Sequence, residues 1–196
     1  MNLLLAALFV ISGCEVKVGS QDYPAVCEVQ TSQSCGSGTL IAVNENYALI
    51  LTCRHVAQQE GNDAVMTWFV NGKEQITFGR VLLVMEGDGY DSDQALIVGQ
   101  APKGVKPIPV GEFNPNNGPL VCVGWRNGKL YETIAKSGVE EDGIIKLNQP
   151  LIGGMSGGPC IQKGVVVGVG VGSNRTNNAY ISNGPTLKKL IKIASE

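Results

Sequence analysis

Short apolar runs separated by turn residues recur along most of this chain, at the length and spacing typical of β-strands. In the first half these runs predict strands at residues 25–30, 38–43, 47–52, 65–70, 75–84 and 94–98. In the second half they predict strands at residues 120–125, 130–137, 144–147, 159–162, 165–171 and 179–182. Only residues 185–194 carry apolar positions at helical spacing, so we expect one C-terminal helix. The pattern therefore predicts an all-β protein of barrels or sandwiches.

A stretch rich in Pro, Gly and Asn at residues 101–118 separates the two sets of strands. Such a composition is typical of a connector. We expect an N-terminal β unit at residues 22–104 and a C-terminal β unit with the terminal helix at residues 105–196. A chain of 196 residues is long enough for two small β domains that pack tightly together.

The N-terminal residues 1–13 are almost wholly apolar and are too short to span a bilayer. They fit the apolar core of a secretory signal, which predicts an exported protein in the periplasm or at the cell surface. The end of this stretch, at Cys14, resembles the lipobox of bacterial lipoproteins, so we expect membrane attachment through a lipid on Cys14 and a tether at residues 14–21. No Lys or Arg precedes the apolar core, which leaves a plain export signal or a buried first segment as alternatives.

The composition narrows the range of functions. Hydrophobic residues make up 43% of the chain and charged residues 16%, and the net charge of −2 gives no basic surface for nucleic acid. An acidic cluster at residues 86–93 lacks the ligand spacing of a calcium loop, so a solvated turn is favoured and no metal or other cofactor is expected. A single histidine limits the choice of a general base near neutral pH.

The segment Gly154-Met155-Ser156-Gly157-Gly158-Pro159 is the strongest local signal of chemistry. Glycines around a serine allow a sharp turn, which can point the backbone N–H groups of Gly154 and Ser156 at one oxyanion. A glycine-rich hairpin with an incidental serine is the alternative. The segment also matches the nucleophile elbow of α/β-hydrolases, but in that fold the histidine follows the serine, whereas here the single histidine precedes it.

A serine hydroxyl needs a base to take its proton, and His55, at the end of an apolar strand, is the candidate. The imidazole in turn needs an acceptor that fixes its tautomer. Asp93 suits this role because it directly precedes a predicted buried strand, with Asp91 and Asp88 as rivals.

The order His, Asp, Ser and five local segments (CGSGTLI, LTCRHV, DQALI, VGW and GMSGGP) resemble the chymotrypsin-like serine peptidases over residues 22–196. The resemblance implies two six-stranded antiparallel β-barrels, with His55 and Asp93 in the first and Ser156 in the second. It favours Asp93 over Asp91. An I-V-G-G-like start and an aspartate before the serine are both absent, and no PDZ-like segment follows. We therefore expect an enzyme that is competent once folded, as many bacterial relatives are, and we also expect a monomer.

The same resemblance places the floor of the substrate pocket near Pro150 and one wall at Val171, Gly172 and Ser173. No carboxylate lies at the floor and no second histidine is present, so a small or medium apolar residue is the expected preference. The predicted function is a serine endopeptidase acting on proteins or peptides. An inactive, surface-anchored binding protein with the same fold and an esterase-like hydrolase are the alternatives.

The cysteines fit an exported protein. Relatives often join the strand before the Gly-Trp pair to the strand after the serine, which implies a Cys122–Cys160 disulfide here. Cys27, Cys35 and Cys53 compete for one further bond, with Cys35–Cys53 favoured.

Overall fold

The computed structural model describes residues 22–87, 89–173 and 179–183, and the backbone of the two-residue strand β1 (Val16–Lys17). Cys14, the leader 1–13, Asp88 and the predicted helix 185–194 lie outside the described residues.

Six strands in the first half form a closed antiparallel barrel. They are β2 (Val26–Gln30), β3 (Cys35–Val43), β4 (Ala48–Thr52), β5 (Asp63–Val70), β6 (Lys73–Val84) and β7 (Ala95–Gly99), in the order β2-β3-β4-β7-β6-β5. In β5 the inward side chains alternate along the strand, with Ala64, Met66 and Trp68 almost fully buried. The whole of β4 is buried, as its unbroken apolar run predicts. Burial of these two strands gives the barrel a continuous apolar core.

The second half forms an antiparallel sheet of eight strands. Its members are β1, β8 (Leu120–Arg126), β9 (Lys129–Ala135), β10 (Gly138–Glu141), β11 (Ile144–Leu147), β12 (Pro159–Gln162), β13 (Val165–Ser173) and β14 (Ala179–Asn183). They are ordered β1-β9-β8-β12-β13-β14-β11-β10. Leu120, Ile145, Leu147 and Ile181 lie in its apolar core. A closed six-stranded barrel plus this second sheet agrees with the expected two-barrel arrangement, and the all-β prediction is confirmed.

Strand β8 packs the second sheet against the first barrel. The indole N–H of Trp125 donates a 3.0 Å hydrogen bond to the backbone oxygen of Val26 in β2, and its ring stacks on Phe69 of β5 at 4.9 Å between centroids. Val123 and Ile161 complete the buried cluster at this junction. The segments that follow β4 and β11, the connection before β7 and strand β3 carry the polar side chains described below.

All twelve strands predicted from the sequence are present, with ends that differ by a few residues. The structure adds β1, β10 and two short helical segments, the α-helix α1 (Arg54–Ala57) and a 3₁₀ turn at Tyr90–Ser92. Within the part of the chain that the structure describes, no helix is long and apolar enough to cross a membrane.

Candidate active site

His55 lies on the first turn after the buried strand β4. Cys53 is in an extended conformation and precedes α1, so the chain turns directly from the strand into the helix. The side chain of Val56 points into the core, whereas that of His55 is 46% exposed. This turn exposes the imidazole to solvent and is itself fixed by the buried strand β4 and by Val56.

Asp93 faces His55 from the short connection between the 3₁₀ turn and β7. Its Oδ2 lies 2.7 Å from His55 Nδ1, and its Oδ1 accepts a 3.0 Å hydrogen bond from the backbone N–H of His55. Asp93 is only 6% exposed, whereas its rival Asp91 is exposed. A carboxylate at Nδ1 favours the tautomer with the proton on that nitrogen, which leaves Nε2 as the basic atom.

Ser156 lies in the glycine-rich loop between β11 and β12. Its Oγ donates a 3.2 Å hydrogen bond to the backbone oxygen of Val171 in β13. No hydrogen bond joins Ser156 Oγ to His55 Nε2 among the described residues, and Nε2 contacts Cys53 Sγ at 3.6 Å. The structure therefore brings His55 and Asp93 into direct contact, whereas the hydroxyl of Ser156 is hydrogen-bonded to Val171 O and not to His55.

The backbone N–H groups of Gly154 and Ser156 donate no hydrogen bond to any described residue. The amides between and after them are used, since Met155 N–H donates to Ile152 O at 3.0 Å and Gly157 N–H donates to Gly170 O at 2.8 Å. The N–H groups of Gly154 and Ser156, on either side of Met155, are therefore free to bind an oxyanion, as an oxyanion hole requires.

Ser37 of β3 is hydrogen-bonded to the backbone of the glycine-rich loop that carries Ser156. Its hydroxyl donates to the carbonyl oxygen of Gly154 at 3.0 Å, and its backbone N–H donates to the carbonyl oxygen of Ser156 at 2.7 Å. The same hydroxyl accepts a 2.8 Å bond from the N–H of Trp125. Ser37 is fully buried, so the first barrel anchors both carbonyls of the loop through one residue.

Two glycines in the loop are required by its backbone path. Gly154 has φ +97° and Gly157 has φ +86°, in the left-handed region that favours glycine. A Cβ at Gly157 would also collide with the backbone oxygen of Ser37. The Gly-rich composition of the segment therefore reflects both strain and close packing against the first barrel.

Of the four predicted pocket residues, Val171 is the one whose contact with Ser156 the described residues show. Val171 is 4% exposed, and its backbone oxygen accepts the hydrogen bond from the Ser156 hydroxyl. Pro150 and Gly172 are partly exposed, and Ser173 is the last residue of β13. A cavity of about 340 Å³ lies next to the glycine loop, lined in part by Gly153 and Gly154. A larger cavity, of about 550 Å³, lies on the first barrel and shares no lining residue with it.

The five described cysteines are free thiols in the structure. Cys122 and Cys160 are paired directly across β8 and β12. Burial raises the pKa of the Cys160 thiol, and its hydrogen bond to Cys122 raises it further. Cys35 is exposed, whereas Cys53 is fully buried, and no disulfide joins them.

Comparison with known proteins identifies the family. The model of the trypsin-like peptidase domain matches residues 36–169. The chain belongs to the trypsin-like peptidase family. The matched range includes His55, Asp93 and Ser156, and membership supports serine protease activity in general terms. A search of curated protein sequences finds no significant match.

Solved structures share the fold of this trypsin-like peptidase domain at low sequence identity. A Glu endopeptidase is 18% identical, with a TM-score of 0.70 over 95% of this chain and 99% of that chain. A scabies mite inactivated protease paralogue is 14% identical, with a TM-score of 0.75 over 95% and 97% of the two chains. A human pathogenic astrovirus serine protease is 18% identical, with a TM-score of 0.62 over 83% and 91%. At these identities the likeness shows the fold alone.

Sequence reasoning missed two residues of the site. Ser37 lies in a segment that matches the family, but its contact with Gly154 joins positions 117 residues apart and leaves no local pattern. Cys53 was weighed only as a disulfide partner, and its Cys-x-His spacing to His55 was the signal that could have revealed a contact.

Proposed function

We propose that this protein is a serine endopeptidase in which His55, Asp93 and Ser156 form the catalytic triad. The observation that carries the proposal is the 2.7 Å contact of Asp93 with His55 Nδ1, in a domain whose glycine loop carries a serine and two unused amides. Ser156 Oγ attacks the peptide carbonyl while His55 Nε2 takes its proton and later returns it to the leaving amine. The N–H groups of Gly154 and Ser156 bind the oxyanion.

The attack requires the serine hydroxyl to leave its present acceptor. Rotation of Ser156 about its Cα–Cβ bond breaks the hydrogen bond to Val171 O and frees Oγ to donate its proton to His55 Nε2. Hydrogen bonds between catalytic groups are often long or misaligned without substrate and tighten when substrate binds. A backbone N–H of the bound substrate that donates to Val171 O replaces the Ser156 hydroxyl there and so favours the rotated hydroxyl.

The substrate is a protein or peptide, held at Pro150, Val171, Gly172 and Ser173. None of these side chains is charged, so we propose cleavage after small or medium apolar residues. The enzyme acts as a monomer and needs no cofactor for acyl transfer.

Hydrolysis of a peptide library by the purified protein tests this function. We expect cleavage that is lost in Ser156→Ala and in His55→Ala, with product ends that report the preferred residue. Hydrolysis of activated esters but of no peptide would indicate the esterase-like alternative. No turnover by folded wild-type protein would favour an inactive, surface-anchored binding protein.

We also propose that the protein is exported and anchored to a membrane through a lipid on Cys14. The lipobox-like end of the apolar leader supports this placement. Mass spectrometry of the mature N-terminus tests it: a diacylated Cys14 is expected, and an unmodified N-terminus at another residue would contradict it.

A Cys122–Cys160 disulfide is the remaining structural proposal. Directly opposed residues on antiparallel strands have Cα atoms about 4.5–5.5 Å apart, within the range that a disulfide spans. Closing a loop of about 40 residues stabilises a fold by roughly 4 kcal/mol in the chain-entropy account. Peptide mapping without reductant should recover the cross-linked pair, and two free thiols after oxidative folding would contradict the bond.

A further inference from the structure

Thr52 is a buried threonine whose hydroxyl has no part in the proposed mechanism. It is the last residue of β4, and it is fully buried. Its Oγ1 donates a 2.7 Å hydrogen bond to the backbone oxygen of Ser37 in β3. The registered pairs of β3 and β4 end at Thr39 and Leu51, so this hydroxyl extends the connection between the two strands beyond their ladder.

The backbone of Ser37 connects this hydrogen bond to the loop that carries the nucleophile. The Ser37 N–H donates to Ser156 O at 2.7 Å, while the Ser37 carbonyl oxygen accepts from Thr52. The glycine that follows the serine packs at the same point, because a Cβ at Gly157 would collide with both Thr52 Oγ1 and Ser37 O. Thr52 and Ser37 therefore form the surface against which the serine loop packs.

Thr52 is also joined to the proposed base by a short, hydrogen-bonded turn. His55 follows it by three residues. The carbonyl oxygen of Cys53 accepts two backbone hydrogen bonds from helix α1, at 3.1 and 3.2 Å, which fix the turn that carries the imidazole. A shift of β4 relative to Ser37 therefore shifts His55 relative to the serine.

We propose that Thr52 is a positioning residue, whose hydrogen bond to Ser37 sets the distance between the base and the nucleophile. The bond joins the strand that leads to His55 to the residue that holds the loop of Ser156. Thr52 acts through these groups and takes no part in the bond changes. This role rests on the proposed function.

The size of the effect follows from the precision that acyl transfer requires. A misplacement of about 1 Å can slow an enzymatic reaction about 100-fold. The Ser37 N–H still holds Ser156 O when the Thr52 hydroxyl is removed, so only the position of the loop relative to β4 relaxes. We expect Thr52→Val to lower kcat about 10–100-fold, with little change in KM because the proposed pocket residues lie outside β4.

Three variants of the purified protein test the role. Thr52→Val removes the hydroxyl and keeps the shape of the side chain, whereas Thr52→Ser keeps the hydroxyl and removes a methyl group. Thr39→Val is the matched control, because Thr39 is equally buried and its Oγ1 has no hydrogen-bond partner in the described part of the chain. We expect kcat to fall in Thr52→Val and to stay near the wild-type value in the other two variants.

Thermal melting of the same variants separates positioning from stability. Loss of a buried methyl group destabilises a protein, so Thr52→Ser should melt below wild type and still keep its kcat. If Thr52→Val does not fold, the pair Thr52→Ala and Thr52→Ser, which differ only in the hydroxyl, replaces it in the same comparison.

Two chemical probes distinguish a displaced pair from a damaged residue. The chain has one histidine, so diethyl pyrocarbonate reports the reactivity of the His55 imidazole by itself. A fluorophosphonate reports the serine, whose hydroxyl is reactive only with its base. In Thr52→Val we expect the imidazole to react at the wild-type rate, while Ser156 is labelled about 10–100-fold more slowly.

The outcomes separate this proposal from the proposed function. A folded Thr52→Val with wild-type kcat and labelling rate would overturn the positioning role and leave the peptidase intact. A loss of kcat in Thr52→Ser as large as in Thr52→Val would also overturn it, because the hydroxyl would then not be the cause. A folded wild type that hydrolyses no peptide and takes no label would overturn the proposed function, and the positioning role with it.

Discussion

Replacement of Ser37 by alanine is predicted to impair the glycine loop from a distance. The Ser37 hydroxyl donates to Gly154 O and accepts from Trp125 N–H, and all three groups meet at a buried position. The substitution removes both bonds and leaves one carbonyl and one amide without their partner. Each buried, unsatisfied group costs about 1–3 kcal/mol, so we expect a loss of roughly 2–6 kcal/mol in the free energy of unfolding.

The effect on catalysis follows from the freed Gly154 carbonyl. The Gly154 carbonyl shares its peptide plane with the Met155 N–H, so its release lets the backbone shift on both sides of this plane, where the two oxyanion donors, Gly154 N–H and Ser156 N–H, lie. Loss of one such donor costs about 10²–10³ in kcat. Because the Ser37 backbone N–H still holds Ser156 O, we expect a smaller loss, about 10–100-fold in kcat with little change in KM.

Steady-state kinetics and inhibition by a peptide aldehyde provide the assay. An aldehyde forms a tetrahedral adduct that uses the oxyanion hole, so its affinity should fall by the same factor as kcat/KM. Thr133→Val is the matched control, because Thr133 Oγ1 is buried without a hydrogen-bond partner in the described part of the chain. A Ser37→Ala enzyme that is less stable but keeps wild-type kcat and aldehyde affinity would refute the positioning role.

Three further predictions concern the triad, the loop and the buried thiols. Asp93→Asn should lower kcat by about 10⁴, because an amide at this position favours the histidine tautomer that cannot accept the serine proton. The exposed control Asp91→Asn should change kcat little, and steady-state kinetics measures both variants. Gly157→Ala should abolish hydrolysis or folding, because its φ of +86° and its contact with the Ser37 oxygen exclude a Cβ; wild-type kcat and melting temperature in this variant would contradict the account. Burial raises the pKa of Cys27 well above its ordinary value, so above about pH 8.5 only the unfolded chain loses this proton, and Cys27 alone should lower the free energy of unfolding by about 1.4 kcal/mol per pH unit. Denaturant unfolding as a function of pH measures the total slope, the Cys27 contribution is the part that Cys27→Ala removes, and an unchanged slope in this variant would contradict it.

The strands were predictable where burial leaves a pattern in the sequence. The continuous apolar run of β4 and the alternation of β5 identify both strands. Strand β10 carries no such signal, because Val139, its one large apolar residue, is 66% exposed and the strand pairs with β11 through its backbone. Helix α1, with four residues, is too short to show helical periodicity.

The candidate residues of the site could be chosen from the sequence, whereas the contacts among them could not. Residue types and chain order brought His55, Asp93 and Ser156 together as candidates, and the structure places the first two in contact. The Ser37–Gly154 bond depends on how the two β units pack, which no local pattern records. The direction of the Cys53 side chain depends on the turn from β4 into α1, so its contact with His55 emerged only from the structure.

Covalent labelling of Ser156 is the most direct test of the central claim. The purified protein is treated with a fluorophosphonate, and the modified residue is located by peptide mass spectrometry in wild type, His55→Ala and Ser156→Ala. The triad predicts a single adduct on Ser156 that is lost in both variants, since the hydroxyl is reactive only with its base. A folded wild-type protein that remains unmodified, or one labelled equally without His55, would contradict the claim.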